Sequence, residues 1–475
     1  MDEPLREYIL NSIVDPHPQA VAPSYGVDLV AVARHAVLAG RRRQRQDTAV
    51  RLFRWLAIVA LATGLLITLR NWLNEAELIP DFSPLGIAAG GAVLAAAGVW
   101  GTLFWRARAA RLTALELVEL DEVPSGDLAP ALDPDVEDRL ESLKEPNVVV
   151  YAGTEGDPFV GSGRLLQRRA LSPVDVTRSS TDDEGRRQKL IPFKPVELSD
   201  FLRERVPALG FDGLTSFNRL YVRGDYARHV PDLLPDRYRT PHARVEPGLL
   251  QSTIANPTEY ARTYLCFERI LSGGDLVISM YVHVRLEQNL LSVEWAIYFL
   301  PPLRRRFLPR DSLRARGRGG ATRDAFKVAA KETLPILFGG SSPTSLKDFE
   351  KKARKKRKAR VLRQIKRGFE HDYGAFGGLR EAVAVYETTK RFDVSDIEDS
   401  AMRLRRRLMD CVQEFLDAHG VDTSEFKDQV KNIYNAHVKY EIASVTSDTT
   451  IIGSHGRVNQ FSQGRSERHT SGVNQ

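Results

Sequence analysis

Soft metal ligands are scarce in this sequence: two cysteines and ten histidines among 475 residues. Cys266 and Cys411 form no CxxC pair, and no histidines stand at HExxH spacing. Those absences exclude a disulfide framework and argue against a structural zinc site, so the chain calls for no metal or cofactor. Few cysteines also fit a reducing compartment. Proline is missing from the C-terminal part, since all 25 prolines lie at or before Pro343. With no ring to break i→i−4 bonding, that part is free to form long helices.

Charge is missing from two stretches. "LFRWLAIVALATGLLITL", Leu52 to Leu69, carries only Arg54, near its start, where a long side chain can snorkel. "PLGIAAGGAVLAAAGVWGTLFW", Pro84 to Trp105, has no charge over 22 residues. A bilayer crossing needs about 20 mostly apolar residues, so each run reads as a transmembrane helix rather than a buried helix of a soluble core. Trp100 and Trp105 read as an interfacial belt. The first run begins some fifty residues in and is followed by no small-residue cleavage site, which argues against a signal peptide.

The formal charge of +7 matters through its clustering. Arg41, Arg42, Arg43, Arg45, Arg51 and Arg54 flank the first run, and Arg106, Arg108 and Arg111 follow the second. Between the runs stands Arg70, against Glu75, Glu77 and Asp81. The positive-inside rule then places the protein in the inner membrane with both termini cytoplasmic. "KKARKKRKARVLRQIKR" packs eleven cations into residues 351–367, among them Lys351, Lys352, Arg354, Lys355, Lys356, Arg357 and Lys358. A second run spans Arg304 to Arg318. Such runs are most often solvated helix faces. Anionic lipid headgroups come next as partners, at about 1 kcal/mol per cation near the surface, and nucleic acid third, because no aromatic interleaving supports base recognition.

Along the chain we expect a cytoplasmic arm over 1–51, whose helical spacing can run on into the first span. The membrane hairpin occupies 52–105 and a juxtamembrane linker 106–146. An antiparallel β-rich cytoplasmic domain spans 147–310, basic and amphipathic helices 311–440, and a Gly/Ser/Asn/Gln-rich tail 441–475. The fold class is thus membrane-anchored α+β. "LVISMYVHVRL" and "LLSVEWAIYFL" alternate with period two around "EQN", a hairpin signal. Ile278, Met280, Val282 and Val284 fall on one face of the first run and Leu291, Val293, Trp295, Ile297 and Phe299 on one side of the second, and "TYLCFERIL" adds a neighbouring strand. Ser395 and Glu398 suggest a capping box opening a helix, with Ile397, Ala401, Leu404, Leu408, Cys411 and Phe415 as its apolar stripe and Gly420 as its stop. A second helix begins near Ser424, with Phe426, Val430, Ile433 and Val438 on one side. The tail reads as disordered by composition, with cross-β stacking of "TTIIGSHGRVNQFS" as the sharper alternative.

Catalytic motifs fail on spacing. "VVVYAGTEGDPFVGSGR", Val148 to Arg164, lacks the lysine of a P-loop and the third glycine of a dinucleotide fingerprint. A strand–turn–strand corner is the plainer expectation, with Gly161, Ser162, Gly163 and Arg164 kept as the candidate ligand-binding group. Ser162 lacks nucleophile-elbow spacing. His371–Asp372 reads as a pair of solvated loop residues and His283/Glu294 as a structural cross-strand pair rather than acid/base groups, so no catalytic residue is assigned.

"NVVVYAGTEGDPFVGSG", "ARTYLCFERILSGGDLVISMYVHVRL" and "LLSVEWAIYFLPPL" after two spans resemble a family of uncharacterised actinobacterial membrane proteins, over residues 50–310. The resemblance implies a membrane-anchored cytoplasmic domain and brings no known activity. "HGVDTSEF" before the tail is similar to ends of actinobacterial proteins of conflict or signalling assemblies. The leading expectation is a non-enzymatic, inner-membrane-anchored protein whose cytoplasmic β-rich and helical domains mediate interaction or self-assembly. A membrane-bound enzyme or sensor for a phosphate-bearing ligand, and a membrane-acting defence effector, are the alternatives.

Overall fold

The computed structural model describes residues 3–15, 18–74, 84–119, 126–154, 156–181, 184–208, 213–271, 276–304, 310–338, 343–386 and 391–435. The tail expected over 441–475, and Val438, lie outside them.

Two long helices open the architecture after a short α1 (Glu3–Ile9). α2 (Leu29–Asn74) is one uninterrupted helix of 46 residues, about 70 Å at 1.5 Å per residue. Its start is set by Asp28, whose carboxylate accepts from the Val30 and Ala31 amides at 2.9 and 3.1 Å. α3 (Pro84–Glu119) packs against it where side chains are small: Gly91 meets Ala60 and Gly98 meets the Phe53 ring, so a Cβ at either glycine would clash. Both helices are long and apolar enough to cross a membrane. Their outer faces are bare, Leu65 at 70% and Leu94 at 73% exposure, which suits lipid and not water.

A third helix joins them. α7 (Arg310–Phe338) buries Ala321, Ala325, Ala329 and Thr333, spaced four residues apart, and its Ala329 packs with Val50, Val99 and Leu103. Trp100 is stacked on Phe104 at 5.2 Å and meets Phe326 of α7 edge-on at 5.3 Å. It therefore makes an interhelical contact in addition to any place in the aromatic belt. Trp105 stays 64% exposed, with Arg108 5.5 Å from its ring.

The expected linker folds. α4 (Pro134–Ser142), capped by Asp133, sets Leu140 against Ile9, Ile13, Ala33 and Ala36 of α1, α2 and the turn between them. Glu137 takes a bidentate grip from Arg34 at 2.6 and 3.1 Å, so this segment braces the root of α2.

Seven strands form one mixed sheet. They are β1 (Val148–Tyr151), β2 (Arg164–Ala170), β3 (Val174–Asp175), β4 (Leu214–Arg223), β5 (Ala261–Leu271), β6 (Leu276–Glu287) and β7 (Leu290–Leu300). Their order is β1-β4-β5-β6-β7-β2, with β3 also on β7. The meander β4 to β7 is antiparallel as the alternation implies. Its last turn is held by Gln288 and Asn289 at φ of 49° and 64°. β1 departs from the all-antiparallel expectation by pairing parallel to β4.

Parity decides what each face does. Ile278, Met280, Val282 and Val284 of β6, with Leu291, Val293, Trp295, Ile297 and Phe299 of β7, all enter the main core. Covering them are α10 (Arg391–Ala418), through Leu404, Leu408 and Phe415, and α11 (Ser424–Asn435), through Phe426 and Val430. The two C-terminal stripes are thus buried against the sheet. α10 begins at Arg391, which puts Ser395 and Glu398 inside the helix and removes their capping box. Gly420, at φ +72°, does end the unit.

Candidate functional site

The stretch from Val148 to Arg164 is not a corner. β1 and β2 lie at opposite edges of the sheet, so residues 152–163 must cross its face. Five strand spacings of about 4.8 Å make roughly 24 Å, within the reach of a chain of that length. This segment is a strap, and what it carries explains its composition.

Midway along it, Phe159 is 4% exposed and lies on the sheet face opposite α10. That face presents Tyr221, Tyr264, Tyr281 and Tyr298 from β4, β5, β6 and β7. Phe159 stacks on Tyr281 at 4.1 Å and meets Tyr264 and Tyr221 at 4.9 and 5.0 Å, tilted 81° and 73°. Flanking polar residues fasten the strap. The Tyr298 hydroxyl donates to Asp157 at 2.7 Å, and the Ser162 and Tyr281 hydroxyls share a 2.6 Å bond. At its start, Asp372 accepts from the Gly153 and Gly374 amides at 2.9 and 2.8 Å, so it fastens the strap and is not merely a solvated loop residue.

Gly161 and Gly163 have φ of +91° and +89°, and a Cβ on Gly163 would strike the Phe299 carbonyl. The left-handed turns aim amides at a carboxylate, Glu381 of α9 (Leu379–Val383). Gly163 N–H donates to its Oε1 and Gly378 N–H to its Oε2, both at 2.7 Å. Burial raises the Glu381 carboxyl above its ordinary range, opposed by the Gly378, Gly163 and Gly161 amides. The glycine-rich loop therefore does hold an acidic group, and that carboxyl belongs to the chain. Of the four candidate ligand-binding residues, Gly161, Ser162 and Gly163 are engaged internally, while Arg164 opens β2 opposite Phe299 and is half-buried.

A second buried polar group lies beside the strap. Arg219 donates to Tyr25 Oη at 2.8 Å and to Glu268 Oε1 at 3.2 Å, and Tyr25 Oη lies 3.3 Å from Tyr281 Oη. Arg380 holds the Tyr25 carbonyl at 3.0 Å. Burial pushes the Tyr25 phenol up to about 12, against the pull of Arg219. Tyr25 precedes α2 by four residues, so this network locks the root of the long helix into the sheet.

Next to Phe159 opens a cavity of about 280 Å³, lined by Tyr151, Tyr221, Tyr264, Arg262, Glu259 and Glu294 among others. His283 faces Glu294 across the β6–β7 ladder. The thiols supply no thiolate: burial pushes Cys266 up to about 12 and Cys411 to about 11.

The basic residues separate into two groups. Arg41 is exposed, Arg42 donates to Thr113 of α3 at 3.3 Å, and Arg43, Arg106 and Arg108 are half-buried on the same helix pair. α8 (Pro343–Lys366) carries Lys351 and Arg354 and exposes Lys352, Lys355, Lys356 and Arg357; Lys358 pairs with Asp15 at 2.6 Å.

A model of the AbeC-like domain matches residues 166–454. The chain belongs to the AbeC-like domain family. The AbeC-like match takes in the sheet from β2 onward and the C-terminal helices, and starts just after the strap. No curated protein and no solved structure matches the chain.

Sequence reasoning missed the aromatic face. Its signal was present in parity: Tyr264, Tyr281 and Tyr298 all occupy strand positions opposite to the apolar set. Glu381 left no such trace of its role beyond the local Gly378 cap, because its other partners are the Gly161 and Gly163 amides far away in sequence.

Proposed function

We propose that this chain is an inner-membrane protein whose AbeC-like domain acts on the cytoplasmic side as a self-assembling interaction module rather than as an enzyme. The observation that carries the reading is the unbroken α2, apolar along its span and fixed at its root by the Asp28 cap, Tyr25 and the Arg34–Glu137 pair. Such a rod holds the domain at a set height and orientation, which an assembling scaffold needs. Basic residues around Arg41 and along α8 then meet anionic headgroups.

Both native cysteines are buried, so an introduced Gln44→Cys gives a clean topology probe. It is labelled by an impermeant maleimide only after the cells are opened, and labelling of intact cells refutes the cytoplasmic placement. Light scattering on the full-length protein in detergent gives an oligomer; a strictly monomeric mass refutes assembly.

A second reading has its own observation: amides of Gly161, Gly163 and Gly378 converge on one carboxyl group. A phosphate-bearing ligand would displace Glu381 there. In a thermal-shift screen with nucleotides, stabilisation that grows in Glu381→Gln and disappears in Arg164→Ala supports it, and no stabilisation in either protein removes it.

A further inference from the structure

The cavity beside Phe159 has mainly aromatic walls and charges of both signs at its rim. Phe159, Tyr221 and Tyr264 stand nearly perpendicular to one another, with interplanar angles of 73°, 81° and 88°. They form the corner of a box, and Tyr151 and Tyr260 extend it toward the mouth. Aromatic faces carry negative potential and attract cations.

The charges at the rim do not cancel. Arg168 is neutralised by Asp157 at 3.4 Å and also donates to Tyr298 Oη at 3.0 Å. Arg223 is paired with Asp225 at 2.7 Å. Arg262 spends its Nε on the Thr258 carbonyl at 3.1 Å. Glu294 and Glu259 both line the cavity, and among the described residues neither carboxylate has an ion pair or hydrogen bond. Glu294 is moreover half-buried, where an unpaired carboxylate is costly. Two free carboxylates against the single Arg262 leave the mouth negative.

The rim already shows the recognition. The Arg223 guanidinium lies over the Tyr260 ring, 4.1 Å from its centroid.

We propose that this cavity is a binding site for a small organic cation, an alkylammonium or guanidinium group, seated against Tyr264 and Tyr221 with Glu294 as its counter-ion. The volume of about 280 Å³ admits a group of that size, and the aromatic walls favour a weakly hydrated cation over a metal ion. Glu259, exposed at the rim, steers the cation inward.

Choline is a suitable probe, and 3,3-dimethyl-1-butanol is its neutral isostere. Titrated calorimetrically into the full-length protein in detergent, choline binds saturably and the neutral alcohol binds roughly tenfold weaker or worse, since cation–π and ionic terms together exceed the energy of a tenfold change. Glu294→Gln, which keeps the side-chain shape, weakens choline at least tenfold and leaves near-ultraviolet circular dichroism intact. Glu197→Gln on α5 (Pro195–Arg205) changes nothing. Should a polar change at Glu294 disturb folding, Tyr264→Leu serves as the second variant: it removes an aromatic wall of the cavity and weakens choline at least tenfold, and unchanged affinity in that folded variant overturns the assignment equally. No saturable choline binding, equal affinity for the neutral alcohol, or unchanged affinity in a folded Glu294→Gln variant would each overturn the assignment.

Discussion

His283 should make the domain acid-sensitive, with a sign and size that follow from its surroundings. It lies on β6, 3% exposed, with Tyr264 and Glu294 as cross-strand neighbours. Burial pushes its imidazole from 6.5 down to about 4; Arg262 and Arg285 add repulsion, while the Thr263 backbone and Glu287 oppose it. Because the folded value is depressed, the unfolded chain binds the proton first. The contribution is complete above the unfolded value of about 6.5 and is lost as pH falls toward about 4. A shift of about 2.5 units corresponds to roughly 3 kcal/mol in full, of which about 2 kcal/mol disappears between pH 7.5 and 5. Glu268 and Glu381 have raised values, chiefly through burial. Their contribution runs the other way, present at low pH and lost as pH rises through those values. Both groups stay in a His283→Gln variant, so comparison isolates the histidine. Urea unfolding of full-length protein in detergent, followed by near-ultraviolet circular dichroism at several pH values, is the assay. The variant should be less acid-sensitive than wild type by about 2 kcal/mol over that range. Parallel pH profiles for the two proteins would refute the reasoning, whatever their absolute stabilities.

Three further outcomes are expected. Phe159→Ala removes the ring that bridges four tyrosines and should cost about 3–5 kcal/mol in the same unfolding assay; a loss below about 1 kcal/mol would mean the strap is not part of the core. Gly163→Ala forces a left-handed φ of +89° and a clash with Phe299, costing at least about 1–2 kcal/mol, and a neutral thermal midpoint would contradict that backbone. Ala325→Leu overpacks the α7 face toward α3 by about 1–3 kcal/mol, whereas Lys327→Leu on the exposed side stays within about 0.5 kcal/mol; equal midpoints in lipid vesicles would refute the three-helix packing.

Much of the framework was legible because it rests on local periodicity. Alternation from Leu276 to Leu300 fixed which residues enter the core, since one residue of slippage would have turned Trp295 and Ile297 to the other face. Hydropathy marked α2 and α3, and the apolar stripe of α10 marked its buried side. One local signal misled: a turn of helix before Ser395 removed the expected capping box.

The sequence by itself determined the two apolar helices, the meander and the two C-terminal amphipathic helices, because each follows from patterns a few residues long. Only tertiary structure decided that β1 and β2 sit at opposite edges. That choice turned a glycine-rich stretch into a strap, set Phe159 on the tyrosines and gave the Gly161 and Gly163 amides a carboxylate from Glu381. Contacts between residues more than two hundred positions apart depend on how strands are ordered in space, and strand order is set by the packing of the whole sheet.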